Sequence, residues 1–202
     1  MAIRITGGIH RGRQIGSPKG GPGVRPTTDR VKLAIFSVIG IEAVRGKKVL
    51  DLFACTGALG IEAISRGAES ACFVERSQRN CKLIRDNLDD LGVGEVGLVE
   101  KSDSLKFIEK SEMDFGLVFL DPPFEEGNWD KIMNSLGNKD LVSPGGIVVA
   151  EQFPVKSNES HCVKFLEFSD LGWILTCPLY VFEDDPDETP FEIILLFVFF
   201  PK

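Results

Sequence analysis

From residue 47 to residue 151 the chain alternates short apolar runs with amphipathic stretches, and this rhythm restricts the fold more than any other feature of its 202 residues. KKVLDLF, SACFVE, VGLVEK, FGLVFLD and GGIVVAE have strand length; between them lie GALGIEAISRG, SQRNCKLIRDNLDDLG, DSLKFIEK and NWDKIMNSLG, which are helix-like. In the second of these helices Cys81, Ile84, Leu88 and Leu91 fall on one face. Parallel strands need a crossover connection, and a helix supplies one. Repeated βα units therefore predict an α/β fold, a mostly parallel sheet with helices on both faces. After residue 151 the rhythm stops: GWILTCPLYVF and FEIILLFVFF are joined by EDDPDETP with no helix between them, which predicts an antiparallel pair.

Ahead of the rhythm, RPTTDRVKLAIFSVIG places Val31, Ala34, Ile35, Val38 and Ile39 at helical spacing, with Thr27 or Thr28 as cap and Gly40 near the stop. Residues 1–32 carry seven Lys or Arg and one acid, a charge of +6, whereas the whole chain sums to −7. A basic end on an acidic body predicts an electrostatic landing patch. Ile3, Ile5 and closely spaced glycines predict short strands there, and GSPKGGPG is the linker-like stretch. The expected organisation is a basic extension over residues 1–26, followed by one domain over 27–202.

Several classes of function are disfavoured. The longest apolar run, IILLFVFF, is far short of the ~20 residues that span a bilayer, so no membrane partner is expected. MAIRITGGIHRGR lacks the apolar core of a signal peptide, which points to the cytoplasm. Five scattered cysteines without a C-x-x-C pair predict neither a disulfide framework nor a zinc site, and His10 and His161 lie too far apart in sequence to suggest a histidine metal centre. The expectation is reduced thiols and no bound metal.

Chemistry concentrates at strand ends. In VLDLFACTGALGIEA a strand ends in Asp51 and passes through a small-residue turn into a helix. Gly57 and Gly60 permit close backbone approach there, and ligands of open α/β sheets bind at such carboxyl ends. Cys55 occupies the first glycine of a dinucleotide fingerprint, which argues against an NAD-dependent oxidoreductase. Glu75 ends the next strand at a distance suited to gripping ribose hydroxyls, and Asp103 ends the one after, where it would serve equally as a helix cap. Singly these acids are ordinary; three successive strand ends suit a ribose and an amino-bearing base. FLDPPFEEG then ends the fourth strand in Asp121, Pro122, Pro123 and Phe124. An exocyclic nucleobase amine is a poor nucleophile because its lone pair is delocalised. The Asp121 carboxylate and the Pro122 carbonyl can accept its two hydrogens while Phe124 stacks on the base, and the prolines keep the acceptors stiff.

GGIHRGRQI, RPTTDRVKLAIFSVI, VLDLFACTGALGIEAISRGA, FVE and VFLDPPF, in this order over residues 3–124, resemble the S-adenosylmethionine-dependent methyltransferases that modify guanine N2 in bacterial small-subunit ribosomal RNA, the RsmD family. The resemblance implies a Rossmann-like, seven-stranded class I methyltransferase sheet whose last strand is antiparallel. By position it implies that Asp51, Phe53, Ala54, Cys55, Thr56, Gly57 and Ala58 line the methionine and ribose side of S-adenosylmethionine. Glu75 would take the ribose hydroxyls, with Asp103 and neighbouring Ser104 on the adenine side. Asp121, Pro122 and Phe124 would hold the target guanine. Arg4, Arg11, Arg13, Arg25 and Arg30 would meet ribosomal RNA, free or in the small-subunit particle, in a monomeric enzyme. Cys55 departs from the family's usual glycine, and a positive φ there would strain the turn by about 1–3 kcal/mol. Two alternatives are another nucleic-acid substrate, such as a different RNA or adenine in DNA, and a non-catalytic RNA-binding module on the same scaffold.

Overall fold

The computed structural model describes residues 2–18, 27–121, 131, 132, 135, 136, 139, 141–152, 165–168, 172–181 and 191–199. The expected rhythm is present among these residues, and the helix expected at NWDKIMNSLG lies largely outside them. After a small antiparallel pair, β1 (Ile3–Arg4) and β2 (Gln14–Ile15), and a helix α1 (Asp29–Ile39), the chain runs β3 (Lys48–Asp51), α2 (Ala58–Ser65), β4 (Ser70–Glu75), α3 (Gln78–Leu91), β5 (Gly97–Lys101), α4 (Ser104–Lys110), β6 (Phe115–Leu120) and β7 (Val142–Gln152). β8 (Phe165–Phe168), β9 (Gly172–Val181) and β10 (Phe191–Phe199) complete the main sheet, whose order is β5-β4-β3-β6-β7-β10-β9-β8. β3 to β7 are parallel, and β10 is antiparallel to both β7 and β9, as the uninterrupted C-terminal runs predict. Among the described residues the main sheet has eight strands where seven were expected. β8 adds an eighth, pairing antiparallel with β9 from a four-residue run too short to register as a strand signal. Among the described residues no helix is long and apolar enough to cross a membrane.

Alternation along the central strands separates two cores. Val49, Phe73, Leu117 and Phe119 face a cluster shared with Ile35 of α1, Ile61 of α2 and Ile84 and Leu88 of α3. Their neighbours Leu50, Cys72, Val74, Val118 and Leu120 face a second cluster containing Ile108 of α4 together with Ile132 and Leu136. Because side chains of a strand alternate with period two, each central strand is buried on both sides, which explains its unbroken apolar sequence. β3 lies between β4 and β6, so connections leave it in opposite directions across the sheet. Such a switch point opens a crevice beyond the carboxyl ends of the strands.

Helix α1 begins where its cap predicts: the Thr28 side chain accepts the Val31 N–H at 3.4 Å, and Gly40 ends it with φ +73°. Its buried face, however, is rotated from expectation. Val31 and Ile35 are buried together with Lys32 and Phe36, whereas Val38 is exposed. Phe36 packs against Phe119, ring centroids 5.7 Å apart, under the Arg66 guanidinium. Lys32 is buried because its ammonium finds the Arg4 carbonyl, Asp29 at 3.4 Å and the wholly buried Glu62 at 3.7 Å. A hydrophobicity pattern misses a lysine whose charge is met inside.

The basic N-terminal arm is seated on the sheet's helices. Ile3, Ile5 and Ile15 belong to the first core cluster. Glu62 accepts the Thr6 N–H at 2.9 Å and its hydroxyl at 2.8 Å, and the Ser65 hydroxyl donates to the Gly7 carbonyl at 2.6 Å. Gly8 has φ +77°, and a Cβ there would lie 1.8 Å from the Ser65 carbonyl oxygen, so only glycine permits this approach.

Candidate active site

Asp51 closes β3 and is buried; its Oδ2 accepts the Gly60 N–H of α2 at 3.0 Å, which ties the strand end to the helix start. Between them the backbone reverses through Cys55 at φ +49° and Gly57 at φ +76°, with the Gly57 N–H donating to the Ala54 carbonyl at 2.6 Å. Among the described residues Cys55 is the one non-glycine with positive φ, so the strain expected at this departure from glycine is present. Gly60 has a packing reason: a Cβ would lie 2.3 Å from the Phe73 ring, so glycine lets α2 lie close on β4.

A cavity opens over this turn, lined by Thr27, Asp51, Phe53, Ala54, Cys55, Thr56, Ala58, Leu59 and Asp121. Asp51, Phe53 to Thr56, Ala58 and Asp121 are expected from the sequence, and the fold gathers all of them at one place. Leu59 is not expected from its sequence context, and Thr27, expected only as a helix cap, also lines the cavity; its signal lies in the RPTTDRV stretch. Glu75, at the end of β4, accepts the Cys55 N–H at 3.0 Å on one carboxylate oxygen and the Ser77 N–H at 2.7 Å on the other. It therefore braces the turn, and each oxygen retains a lone pair for a ligand hydroxyl. Asp103 is exposed at the N-cap of α4, accepting the Lys106 N–H at 3.2 Å. The Ser104 hydroxyl is buried and donates to the Leu52 carbonyl at 2.9 Å, so it supports the turn from beneath. Pro122, Phe124 and Arg25 lie outside the described residues.

The arginines separate into kinds. Arg11 and Arg30 are exposed. Arg4 is exposed and pairs with Asp29 at 3.3 Å. Arg13 reaches the carbonyls of Asp90 at 2.5 Å and Leu91 at 3.4 Å, where a cation meets the negative end of α3.

Electrostatics mark the cavity as a place for positive charge. Burial pushes the Asp51 carboxyl up to about 7, the Gly60 N–H opposes this, and repulsion from Asp121 and Glu75 adds to it. Asp121, half-buried, is raised to about 6 by desolvation. The Cys55 thiol is pushed up to about 12 by burial and by the same three acids, which makes it inert as a nucleophile. Acids held near neutral pH by desolvation and mutual repulsion are relieved by a cationic guest. This donor set fits S-adenosylmethionine, which carries a sulfonium, an ammonium and ribose hydroxyls.

Residues 3–170 match the family model described as Conserved hypothetical protein 95. Ribosomal RNA small subunit methyltransferase D of Escherichia coli (strain K12) is 34% identical over 149 residues, covering 74% of this chain and 74% of its own. Its namesake in Haemophilus influenzae is 32% identical over 152 residues, covering 74% of this chain and 78% of its own. In overall fold the chain matches the solved structure of the Escherichia coli protein yhhF, with a TM-score of 0.75 at 24% identity and 100% of both chains covered. SMU.776, solved in complex with SAH, matches 84% of this chain and 49% of its own, with a TM-score of 0.59 at 14% identity. With a family model spanning most of its length and two relatives above 30% identity, the chain belongs to the Conserved hypothetical protein 95, or RsmD, family.

Proposed function

We propose that this protein transfers the methyl group of S-adenosylmethionine to the exocyclic N2 amine of a guanine in small-subunit (16S) ribosomal RNA. The observation that carries this is the position of Asp121, which lines the same cavity as the turn from Asp51 to Leu59. An acid that would hold the target amine thus faces the place where the methyl donor would sit. The relatives named for small-subunit ribosomal RNA supply the substrate class.

When bound, S-adenosylmethionine supplies a methyl carbon made electrophilic by its sulfonium. The residues of this chain do the rest by placement. Asp51 and the turn through Ala58 receive the cationic methionine end, and Glu75 offers its free lone pairs to the ribose hydroxyls. Asp103 and Ser104 border the adenine side. Asp121 in its ionised form accepts one N–H of the guanine amine and the Pro122 carbonyl accepts the other, drawing nitrogen electron density out of the ring, while Phe124 stacks on the base. After transfer Asp121 takes up the displaced proton. Residues 1–26 form the RNA-contacting extension of a methyltransferase domain over 27–202, with Arg4, Arg11 and Arg25 of the extension and Arg30 of the domain at phosphates, while Arg13, expected there too, instead holds the arm to the end of α3. The enzyme acts as a cytoplasmic monomer.

The test is transfer of a labelled methyl group to total RNA and DNA, followed by nucleoside identification. Label in N2-methylguanosine of 16S RNA is expected; label in another RNA or in DNA adenine replaces the substrate assignment. Asp121→Ala is expected to lower turnover by about 10²–10³-fold while S-adenosylmethionine still binds by calorimetry. Undiminished turnover in that variant removes the mechanism, and no cofactor binding by the wild type favours a non-catalytic RNA-binding module.

A further inference from the structure

One buried side chain touches both the arm and the cofactor turn. Asn87, on α3, is 2% exposed. Its Oδ1 accepts the Gly16 N–H at 2.7 Å, and its Nδ2 donates to the Gly16 carbonyl at 3.2 Å and to the Thr56 carbonyl at 3.2 Å. Gly16 directly follows β2 of the arm, and Thr56 lies between the two positive-φ residues of the cavity's turn. An amide has few ways to satisfy three bonds at once in a buried site, so the position of Gly16 constrains that of Thr56. The approach is tight, since a Cβ on Gly16 would sit 3.1 Å from Asn87 Oδ1 and 3.1 Å from Leu83 Cδ1.

We infer that Asn87 is a positioning residue through which the seated N-terminal arm sets the cofactor turn, so the arm contributes to S-adenosylmethionine affinity as well as to RNA docking. This rests on the cavity being the S-adenosylmethionine site. The link is reciprocal and local to this contact: whatever fixes Gly16 against Asn87 strengthens cofactor binding, and bound cofactor steadies the Gly16–Asn87 contact by the same factor.

Calorimetry with S-adenosylmethionine and full-length protein, without RNA, tests it. Gly16→Ala displaces the amide from the arm side. It is expected to weaken cofactor binding three- to tenfold in the wild-type background and to change it less than twofold in an Asn87→Ala background, where the contacted oxygen is gone. Thr6→Val, which loosens the arm at Glu62 and leaves Asn87 untouched, is expected to lower Tm while leaving cofactor affinity within twofold. Should Asn87→Ala fail to fold, Asn87→Ser carries the same comparison. An unchanged affinity in Gly16→Ala overturns the inference, as does an equal loss in both backgrounds or an equal loss in Thr6→Val. Failure of the wild type to bind S-adenosylmethionine strikes instead at the assignment of the cavity.

Discussion

At the scale of single residues, the cavity stores unfavourable conformation and charge that a ligand can relieve. Cys55 adopts a left-handed backbone that a side chain resists. Cys55→Gly is expected to be at least as stable as wild type, whereas Cys55→Val should lose about 1–3 kcal/mol in denaturant unfolding. With its thiol pushed up to about 12, Cys55 should label with a disulfide reagent at pH 8 far more slowly than a free cysteine. Asp51 and Asp121 are both raised from 3.8, to about 7 and about 6. A raised value means that the folded state holds the proton more tightly. Their contribution to stability is therefore complete below about pH 4 and is lost as pH rises through 6 to 7. Asp51→Asn keeps an acceptor for the Gly60 N–H and escapes that loss, so its Tm relative to wild type should climb between pH 4 and pH 7 and level off above about 8. Paired thermal melts with a constant difference would contradict this. On the proposed mechanism, in which Asp121 acts in its ionised form, methyl transfer should rise as pH passes through about 6.

At the scale of elements, what the sequence disclosed depended on whether the relevant interactions were local. β3 to β7, α2 to α4 and the C-terminal antiparallel pair were legible because burial on one or two faces imposes periodicity on neighbouring residues. The turn after Asp51 was legible because its small residues answer a local geometric demand. The rotation of α1 was not, because Lys32 is buried by Glu62, thirty residues away, and by the arm. Nor was Asn87, whose partners at positions 16 and 56 come together only in the fold. β8 escaped because four residues carry too little pattern. The network around Glu62 has a measurable consequence. It is wholly buried and meets Lys32, Arg66 and Thr6, so Glu62→Ala, which leaves the Lys32 ammonium without its buried carboxylate, should cost about 3–5 kcal/mol in denaturant unfolding. A loss below 1 kcal/mol would show the network to be incidental.

At the scale of the whole molecule, a basic arm is seated on an acidic body, and its arginines differ in setting: Arg13 ties the arm to the end of α3, whereas Arg11 is exposed. Arg11→Glu should flatten the salt dependence of RNA binding by roughly 0.7–0.9 of a log unit for each phosphate it no longer neutralises, without changing Tm, because the Arg11 side chain is exposed. Arg13→Glu should also lower Tm, because its guanidinium meets the carbonyls that end α3. An unchanged salt slope in Arg11→Glu makes that residue a bystander. The separation of the two cores bears on how such a protein can vary. Val49 and Asp51 share one side of β3, while Leu50 and Leu52 share the other. Adding a single residue within β3 inverts the parity of everything beyond it and swings the carboxylate to the far side from Gly60. Adding two restores the side but carries it roughly 6–7 Å along the strand. An inserted residue in β3 therefore breaks the tie between Asp51 and Gly60, whereas one in an exposed loop leaves it in place.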